Sequence, residues 1–272
     1  MKITIIGCGY VGKAVAQQWG EAGHNLTVTT TTPEKVAELE KIAQKVVVLK
    51  GDALLGLKDV IAGQETILLS VGAKQRTVAG YEEAYLKTAK NLITALENNS
   101  TVKQLIYTGS YGLYGDKKGA WIDESASIVP QSEHNQILAK TEQTLLKANL
   151  SVCIFRLGGI YGPGREIIKI FRSWSGTTRP GKGDDASNWI HLDDIVAALE
   201  LAKTKKLAGI YNLVNDVPLT KKQLLDKLFN KYNLAPIVWD NSTEYTSPYN
   251  ARLSNQKIKD AGLNLIHQET EL

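Results

Sequence analysis

The sequence predicts an α/β fold, a doubly wound parallel sheet with a small additional part towards the C-terminus. Three observations carry that prediction. Residues 1–6 are an apolar run rich in β-branched residues, interrupted after the start by Thr4 alone, as in a strand buried on both faces. That run ends in Gly7-Cys8-Gly9-Tyr10-Val11-Gly12, a GxGxxG turn opening a helical stretch. Strand-like and helix-like segments then alternate as far as Arg156, the rhythm of right-handed crossovers on a parallel sheet.

The glycines of the turn have separate tasks. Gly7 makes the tight turn, Gly9 lets backbone approach a pyrophosphate, and Gly12 allows helix to pack closely on strand. Tyr10 and Val11 complete the cradle, with the ligand's phosphates at the helix N-terminus. The helix, Lys13 to Glu21, places Val15, Ala16 and Trp19 on one face. Gly23 ends it, and Leu26-Thr27-Val28-Thr29 is the second strand. With a strand on either side, the turn reads as the dinucleotide-binding βαβ unit of a Rossmann sheet.

After the second strand an acidic residue would hold the two ribose hydroxyls of NAD, and Thr29-Thr30-Thr31-Thr32-Pro33-Glu34-Lys35 places none at that point. Thr30 and Thr31 with the nearby Lys35 tolerate a 2′-phosphate instead, so NADP is the preferred cofactor and NAD the alternative. Thr32 and Pro33 also fit an N-cap and first helical position. A helix from Glu34 to about Ala43 leads to Val46-Val47-Val48-Leu49 and Lys50-Gly51-Asp52. The stretch from there to Gly63 has no clear pattern. Strand four, Thr66 to Val71, runs into Gly72-Ala73 and leaves Ser70, Val71 and Gly72 at its carboxyl end, where open α/β sheets bind ligands. Tyr81 to Glu97 is a helix, Gln104 to Thr108 a strand, Glu133 to Ala148 a helix and Ser151 to Arg156 a strand. Beyond the glycine-dense Leu157 to Arg165 the alternation weakens. Residues 1–165, with a return at 188–214, are expected to form the NAD(P)-binding domain, and 166–187 with 215–272 a small substrate-covering part.

Composition excludes several classes. The net charge of +4 is spread along the chain without a dense basic block, which speaks against nucleic-acid binding. No uninterrupted apolar stretch is long enough to cross a bilayer, and the start reads as a strand, not a signal peptide. Two cysteines, Cys8 and Cys153, both in or beside core strands, point to a reduced cytoplasmic chain. His191 beside Asp193 and Asp194 has the look of a metal cluster, but without a His-x-x-x-His pair a capping role for the aspartates is the better reading and no metal is expected.

Five stretches together resemble the extended short-chain dehydrogenase/reductase superfamily, the NAD(P)-dependent epimerases and dehydratases. They are the glycine turn, Gly51-Asp52, Thr108-Gly109-Ser110 leading to Leu113-Tyr114-Gly115-Asp116, Arg156-Leu157 with Ile160-Tyr161-Gly162-Pro163-Gly164, and Ile190-His191-Leu192-Asp193-Asp194. Arg252-Leu253-Ser254-Asn255 is similar to a further family element, and the GxGxxG spacing resembles the atypical branch. The resemblance implies that Gly7, Gly9 and Gly12 hold the pyrophosphate, that Asp52 approaches the adenine, and that Ser70 to Ala73 lie beside ribose and nicotinamide. It also implies that Ser110 is the family's serine and that the protein dimerises through the helices Tyr81 to Glu97 and Glu133 to Ala148.

One departure bears on chemistry. The family's Tyr-x-x-x-Lys pair belongs on the helix Glu133-His134-Asn135-Gln136-Ile137-Leu138-Ala139-Lys140-Thr141-Glu142, which has no tyrosine. Registering on Lys140 puts Gln136 in the tyrosine's place. Registering on Glu142 puts His134 there and Leu138 in place of lysine. Only the histidine could act as a base near neutral pH, while Lys140 is a candidate cofactor contact. Tyr111, Tyr114 and Tyr161 are other phenols that could titrate beside a cation. Ser110, His134, Lys140 and Tyr114 are therefore the catalytic candidates. Two functions stay open: an NADP-dependent epimerase/dehydratase-like oxidoreductase acting on a small molecule such as a sugar nucleotide, and a dinucleotide-binding redox sensor without turnover. Arg165, Arg172, Arg179 and Lys182 are available for an anionic group of the substrate.

Overall fold

The structure, a computed structural model, describes residues 1–242, 245 and 247–272. Its centre is a seven-stranded sheet of β1 (Lys2–Ile6), β2 (Asn25–Thr30), β3 (Lys45–Val48), β4 (Thr66–Leu69), β5 (Gln104–Ser110), β6 (Ser151–Leu157) and β7 (Gly209–Leu213). The order across it is β7-β6-β5-β4-β1-β2-β3. β1 pairs in parallel with both β2 and β4, β2 with β3, and β4 with β5. The expected doubly wound parallel sheet is therefore present. The chain steps outward from β1 to β3, then returns across β1 to build the other half from β4. Between β1 and β4 the strand order reverses, which in such sheets opens a crevice at the carboxyl ends.

β1 earns its central place by composition. Ile3 and Ile5 are fully buried, and the one polar interruption, Thr4, is reconciled by donating its hydroxyl to the Val60 carbonyl at 2.6 Å. Helix α1 (Tyr10–Glu21) starts three residues before the apolar periodicity becomes readable and buries Val11, Val15, Ala16 and Trp19. The stretch without a clear pattern contains a helix, α2 (Leu54–Ile61), which buries Leu57, Val60 and Ile61. At eight residues it is too short for its periodicity to stand out. The helix expected over 81–97 starts as Val78–Tyr81, widens into a π-helical turn at Glu82–Lys87, and ends as α3 (Thr88–Leu96). Helix α4 (Glu133–Leu145) begins where Ser132 accepts the Asn135 amide as an N-cap.

Contacts divide the chain into two compact units, one of residues 1–110, 132–156 and 196–210, the other of 111–131, 157–195 and 211–272. The first holds a core in which Leu69, Leu92, Leu105 and Ile154 close around the sheet. In the second, α5 (Lys221–Lys231) is started by a Thr220/Gln223 capping box. It buries Leu224, Leu225, Leu228 and Phe229 against Tyr161, Ile167 and Trp189. Asn188 ties this unit together, donating to the Ala251 carbonyl at 2.8 Å and accepting the Leu253 amide at 3.2 Å. Among the described residues no helix is long and apolar enough to cross a membrane.

Candidate functional site

The first unit gathers the residues expected at a cofactor. Gly7 has φ +91°, and a β-carbon on it would lie 2.7 Å from the Ser70 carbonyl oxygen and 2.9 Å from Val71 Cα. Only glycine lets the end of β1 lie against the end of β4 at the reversal of strand order. At Gly12 a β-carbon would stand 2.5 Å from the Gly7 carbonyl oxygen, so the first turn of α1 is pressed onto the loop. Gly9 is the opposite case: it is exposed, and a β-carbon there would meet nothing within 4 Å. Gly9 is also the N-cap of α1, which receives no side-chain cap and has no acidic residue in its first turn. A tight turn, an open glycine and an uncapped helix start together fit a pyrophosphate.

At the end of β2, Thr30 is buried and its hydroxyl accepts the Thr32 amide at 3.1 Å. Thr31 is exposed, and its carbonyl receives Lys74 Nζ at 3.2 Å. Lys13 is ion-paired with Glu38. Burial pushes the Cys8 thiol up to about 12, against the opposing pull of Lys35 and Lys13, so both cations act on the glycine turn. Asp52 pairs with Lys87 at 3.8 Å. Its loop is held to α3 by Asn91, which donates to the Gly51 carbonyl at 2.9 Å, and by the close approach of Thr88 to Gly51.

The loop after β4 is bound to its surroundings at two points. Thr108 donates its hydroxyl to Ser70 Oγ at 3.1 Å, and the Ser70 amide reaches the Ile6 carbonyl at 2.8 Å. At Ala73 the backbone amide donates to the Tyr85 phenol, whose titration is nevertheless raised, first by burial and then by Tyr81. Val71 packs against the first unit's core, while Gly72 faces open space. Ser110 is the last residue of β5 and is half-buried.

Helix α4 presents the residues of the two registers differently. Glu142 points inward and grips Arg156 of β6 through its Nη2 at 2.8 Å, the side chains being only 3% and 5% exposed. Residues two apart on a helix lie about 200° apart around its axis, which turns Lys140 away from the buried carboxylate, and both Lys140 and Gln136 are exposed. His134, eight residues before Glu142, is half-buried; its Nε2 is buried and has no hydrogen-bond partner among the described residues. The Tyr81 ring meets the His134 ring edge-on at 4.4 Å, and Tyr85 lies 5.2 Å from Tyr81. Both tyrosines come from the π-helical turn and the turn just before it, a local feature that periodicity does not reveal. Such turns are frequent at functional sites.

The other phenols considered from the sequence belong to the second unit and are committed there. Tyr114 is fully buried and donates to Asn212 Oδ1 at 2.8 Å. Tyr111 is pushed up to about 12 by burial, despite a hydrogen bond with Asn188. Tyr161 donates to the Glu269 carbonyl at 3.2 Å and accepts the Glu271 amide at 3.1 Å. His191, Asp193 and His267 bring one ligand atom each to within 4.8 Å of one another. Those atoms already have uses. The Asp193 amide donates to His191 Nδ1 at 3.2 Å, and His267 bridges Asp193 at 3.3 Å and Glu271 at 2.7 Å. The arrangement is that of an ionic clasp. Asp194 acts less as the expected helix cap than as an anchor, accepting the Ile266 amide at 2.6 Å and the His267 amide at 3.2 Å.

The sequence model of the NAD dependent epimerase/dehydratase family matches residues 3–213. Protein YeeZ of Escherichia coli K12 is 26% identical over 248 residues, spanning 89% of this chain and 88% of that protein. Among solved structures, MoeE5 in complex with UDP-glucuronic acid and NAD aligns with a TM-score of 0.80 at 16% identity, over 96% of this chain and 92% of that one. The UDP-N-acetylglucosamine 4-epimerase of Methanobrevibacter ruminantium M1, in complex with UDP-N-acetylmuramic acid, aligns with a TM-score of 0.78 at 16% identity, over 97% and 92% of the two chains. At those identities the structural likeness concerns the fold.

Proposed function

Because the chain belongs to the NAD-dependent epimerase/dehydratase family, we propose that it is an NADP-dependent oxidoreductase of epimerase/dehydratase type, acting on a small molecule of the sugar-nucleotide class, in which His134 carries the proton. The supporting observation is His134 itself. In the register that aligns on Glu142, which the buried Glu142–Arg156 pair favours, an imidazole corresponds to the family's tyrosine, and it has a buried nitrogen without a hydrogen-bond partner among the described residues. Imidazole is the side chain best suited to gain and lose a proton near neutral pH.

When bound, the nicotinamide supplies the hydride chemistry. The chain's own groups bind and orient. The Gly7–Gly12 turn and the amides opening α1 hold the pyrophosphate, and Asp52 lies towards the adenine. Ser70, Val71 and Gly72 line the ribose and nicotinamide. Ser110 hydrogen-bonds the substrate's carbonyl or alcohol oxygen, while His134 takes or returns its proton. Lys140, exposed on α4, has no part in the proton step, and the buried Tyr114 supports the fold. NADP is preferred over NAD because β2 is not directly followed by a carboxylate that would repel a 2′-phosphate, because the exposed Thr31 offers a hydroxyl there, and because Lys13 and Lys35 act on the glycine turn. Sugar nucleotides enter as the substrate class through the ligands of MoeE5 and the Methanobrevibacter epimerase. The two buried free thiols, Cys8 and Cys153, fit a reducing cytoplasm.

The test has two stages. Fluorescence titration with NADPH and NADH should show tighter binding of NADPH. Isotope exchange between labelled NADPH and a panel of UDP-sugars and their keto derivatives should then show hydride transfer that His134→Ala abolishes. Tight NADPH binding without transfer to any member of the panel would favour the redox-sensor reading.

A further inference from the structure

Four cations of the second unit are available from sequence for an anionic group, and the structure separates one of them from the rest. Arg165, Arg172 and Lys182 are exposed, whereas Arg179 is half-buried. Arg179 lies in the strand Thr178–Pro180, which pairs in parallel with Val238–Asp240 so that Arg179 stands directly opposite Trp239. Its guanidinium carbon sits 4.0 Å above the centre of the Trp174 ring, a stacked placement that holds the planar cation in one orientation. Its Nε is buried and has no hydrogen-bond partner among the described residues. The same holds for the indole Nε1 of Trp239. Asp185, six residues further on, is engaged by Lys221 at 3.5 Å, and no ion pair of Arg179 with a carboxylate is present among the described residues.

Register partners in a sheet project from the same face. Two neighbouring strands thus present an oriented cation and two buried N–H donors on one face, without an acceptor for either donor. Buried donors without acceptors are rare enough in folded proteins to require a reason, and an arginine on an aromatic platform is an arrangement suited to an oxyanion. Trp239 is itself fixed, its six-membered ring filling the space over Gly183 so closely that a β-carbon there would lie 2.7 Å from it. A carboxylate offers two oxygens in a plane. A phosphate offers three in a tripod, enough to engage the guanidinium fork and a donor on the adjacent strand at once.

We propose that Arg179 and Trp239 form a phosphate subsite that receives a phosphate group of the substrate. The proposal rests on the sugar-nucleotide reading given above and adds the point of attachment. The experiment uses the full-length protein saturated with NADP and measures, by calorimetry, the binding of UDP, inorganic pyrophosphate and uridine. Arg179→Met keeps an unbranched apolar side chain but removes the guanidinium; Trp239→Phe keeps a ring but removes the N–H. The expected result is that the wild type binds UDP and pyrophosphate, that Arg179→Met weakens both by about tenfold or more and Trp239→Phe by several-fold, and that uridine and NADP binding are unchanged in both. Arg179→Lys should recover part of the loss. Equal UDP affinity in wild type and Arg179→Met, or no binding of UDP and pyrophosphate by the wild type, overturns the subsite. Should Trp239→Phe fail to fold, Arg179→Met still decides. The two readings fail separately. Arg179-dependent UDP binding without hydride exchange removes the enzyme and leaves the subsite, whereas hydride exchange on a carbonyl compound without phosphate, together with indifference to UDP, does the reverse.

Discussion

For His134, the group proposed to carry the proton, packing leaves one polar atom unaccounted for. A histidine kept for structure normally has its buried nitrogen paired, since a buried polar atom without a partner costs about 1–3 kcal/mol. Here Nε2 is buried and unpaired among the described residues, and the ring is held edge-on by Tyr81. His134→Ala is expected to lower the turnover of hydride exchange by about 10²–10⁴-fold, the usual worth of a positioned acid or base, with NADPH affinity unchanged. A variant that loses cofactor binding in parallel would place His134 in the binding site instead. The cofactor's identity rests on single residues too. Thr31→Asp, at an exposed position after β2, should cut the preference for NADPH over NADH by tenfold or more, read by fluorescence titration, because a carboxylate repels the 2′-phosphate and hydrogen-bonds the ribose. An unchanged ratio would move the 2′-phosphate contact elsewhere.

At the scale of elements, α4 and β6 show what could and could not be read from the chain. The strand, turn and helix at Gly7–Gly12 were legible because their signals are local: an apolar run, fixed glycine spacing and a following apolar face. Helix α4 was legible as a helix and ambiguous in its register, since Lys140 and Glu142 give different alignments and the partner that buries Glu142, Arg156, is fourteen residues away and on another element. The meeting of Tyr81 and Tyr85 with α4 is not legible in the sequence, because a π-helical turn changes which side chains share a face without changing composition. α2 was too short to read, and the return of Trp239 beside Arg179 is a pairing over sixty residues of sequence. The contribution of the Glu142–Arg156 pair is measurable as stability. Burial raises the titration of Glu142, and the hydrogen bond and charge of Arg156 pull it back. Glu142→Ala takes from the buried guanidinium the carboxylate that balances its charge, at a cost of about 3–5 kcal/mol. In thermal melts that is a fall on the order of 10 °C for a chain of this size. Glu142→Leu combined with Arg156→Leu should recover most of it, since apolar groups of similar volume can replace a buried pair. A double variant no more stable than Glu142→Ala would mean that the pair does more than satisfy its own charges.

At the scale of the whole molecule, the last residues of the chain are bound to segments far away in sequence. Asp194 holds the amides of Ile266 and His267, Tyr161 holds Glu269 and Glu271, and Asn215 donates to Thr270 Oγ1 at 2.5 Å. The side chain of His267 closes this clasp between Asp193 and Glu271, with the His191 ring tilted against it at a centroid distance of 3.7 Å. Burial alone would lower the titration of His267, but the hydrogen bonds with Glu271 and Asp193 and the charges of Glu271 and Asp194 outweigh it, and the net shift is upward from 6.5. His191 is shifted the other way, first by burial and then by His267, so the pair carries one proton more readily than two. The linkage sign follows. A histidine whose folded value is raised adds stability that is fully present below 6.5 and is lost as pH rises through the folded value. His191 costs stability only as pH falls below its unfolded value, so it cannot produce a decline on the alkaline side. The wild-type melting temperature is therefore expected to fall as pH rises above 6.5 through the folded value, and His267→Gln to lack that component. Because Asp193 and Glu271 are 54% and 65% exposed, solvent screening limits the effect to about 1 kcal/mol or less, a few degrees at most. The measurement is a series of melts of both proteins across this range in one buffer system at constant ionic strength. The gap between them should be widest at the acid end of the range and should narrow as pH rises; parallel curves would show that His267 holds the tail by shape alone.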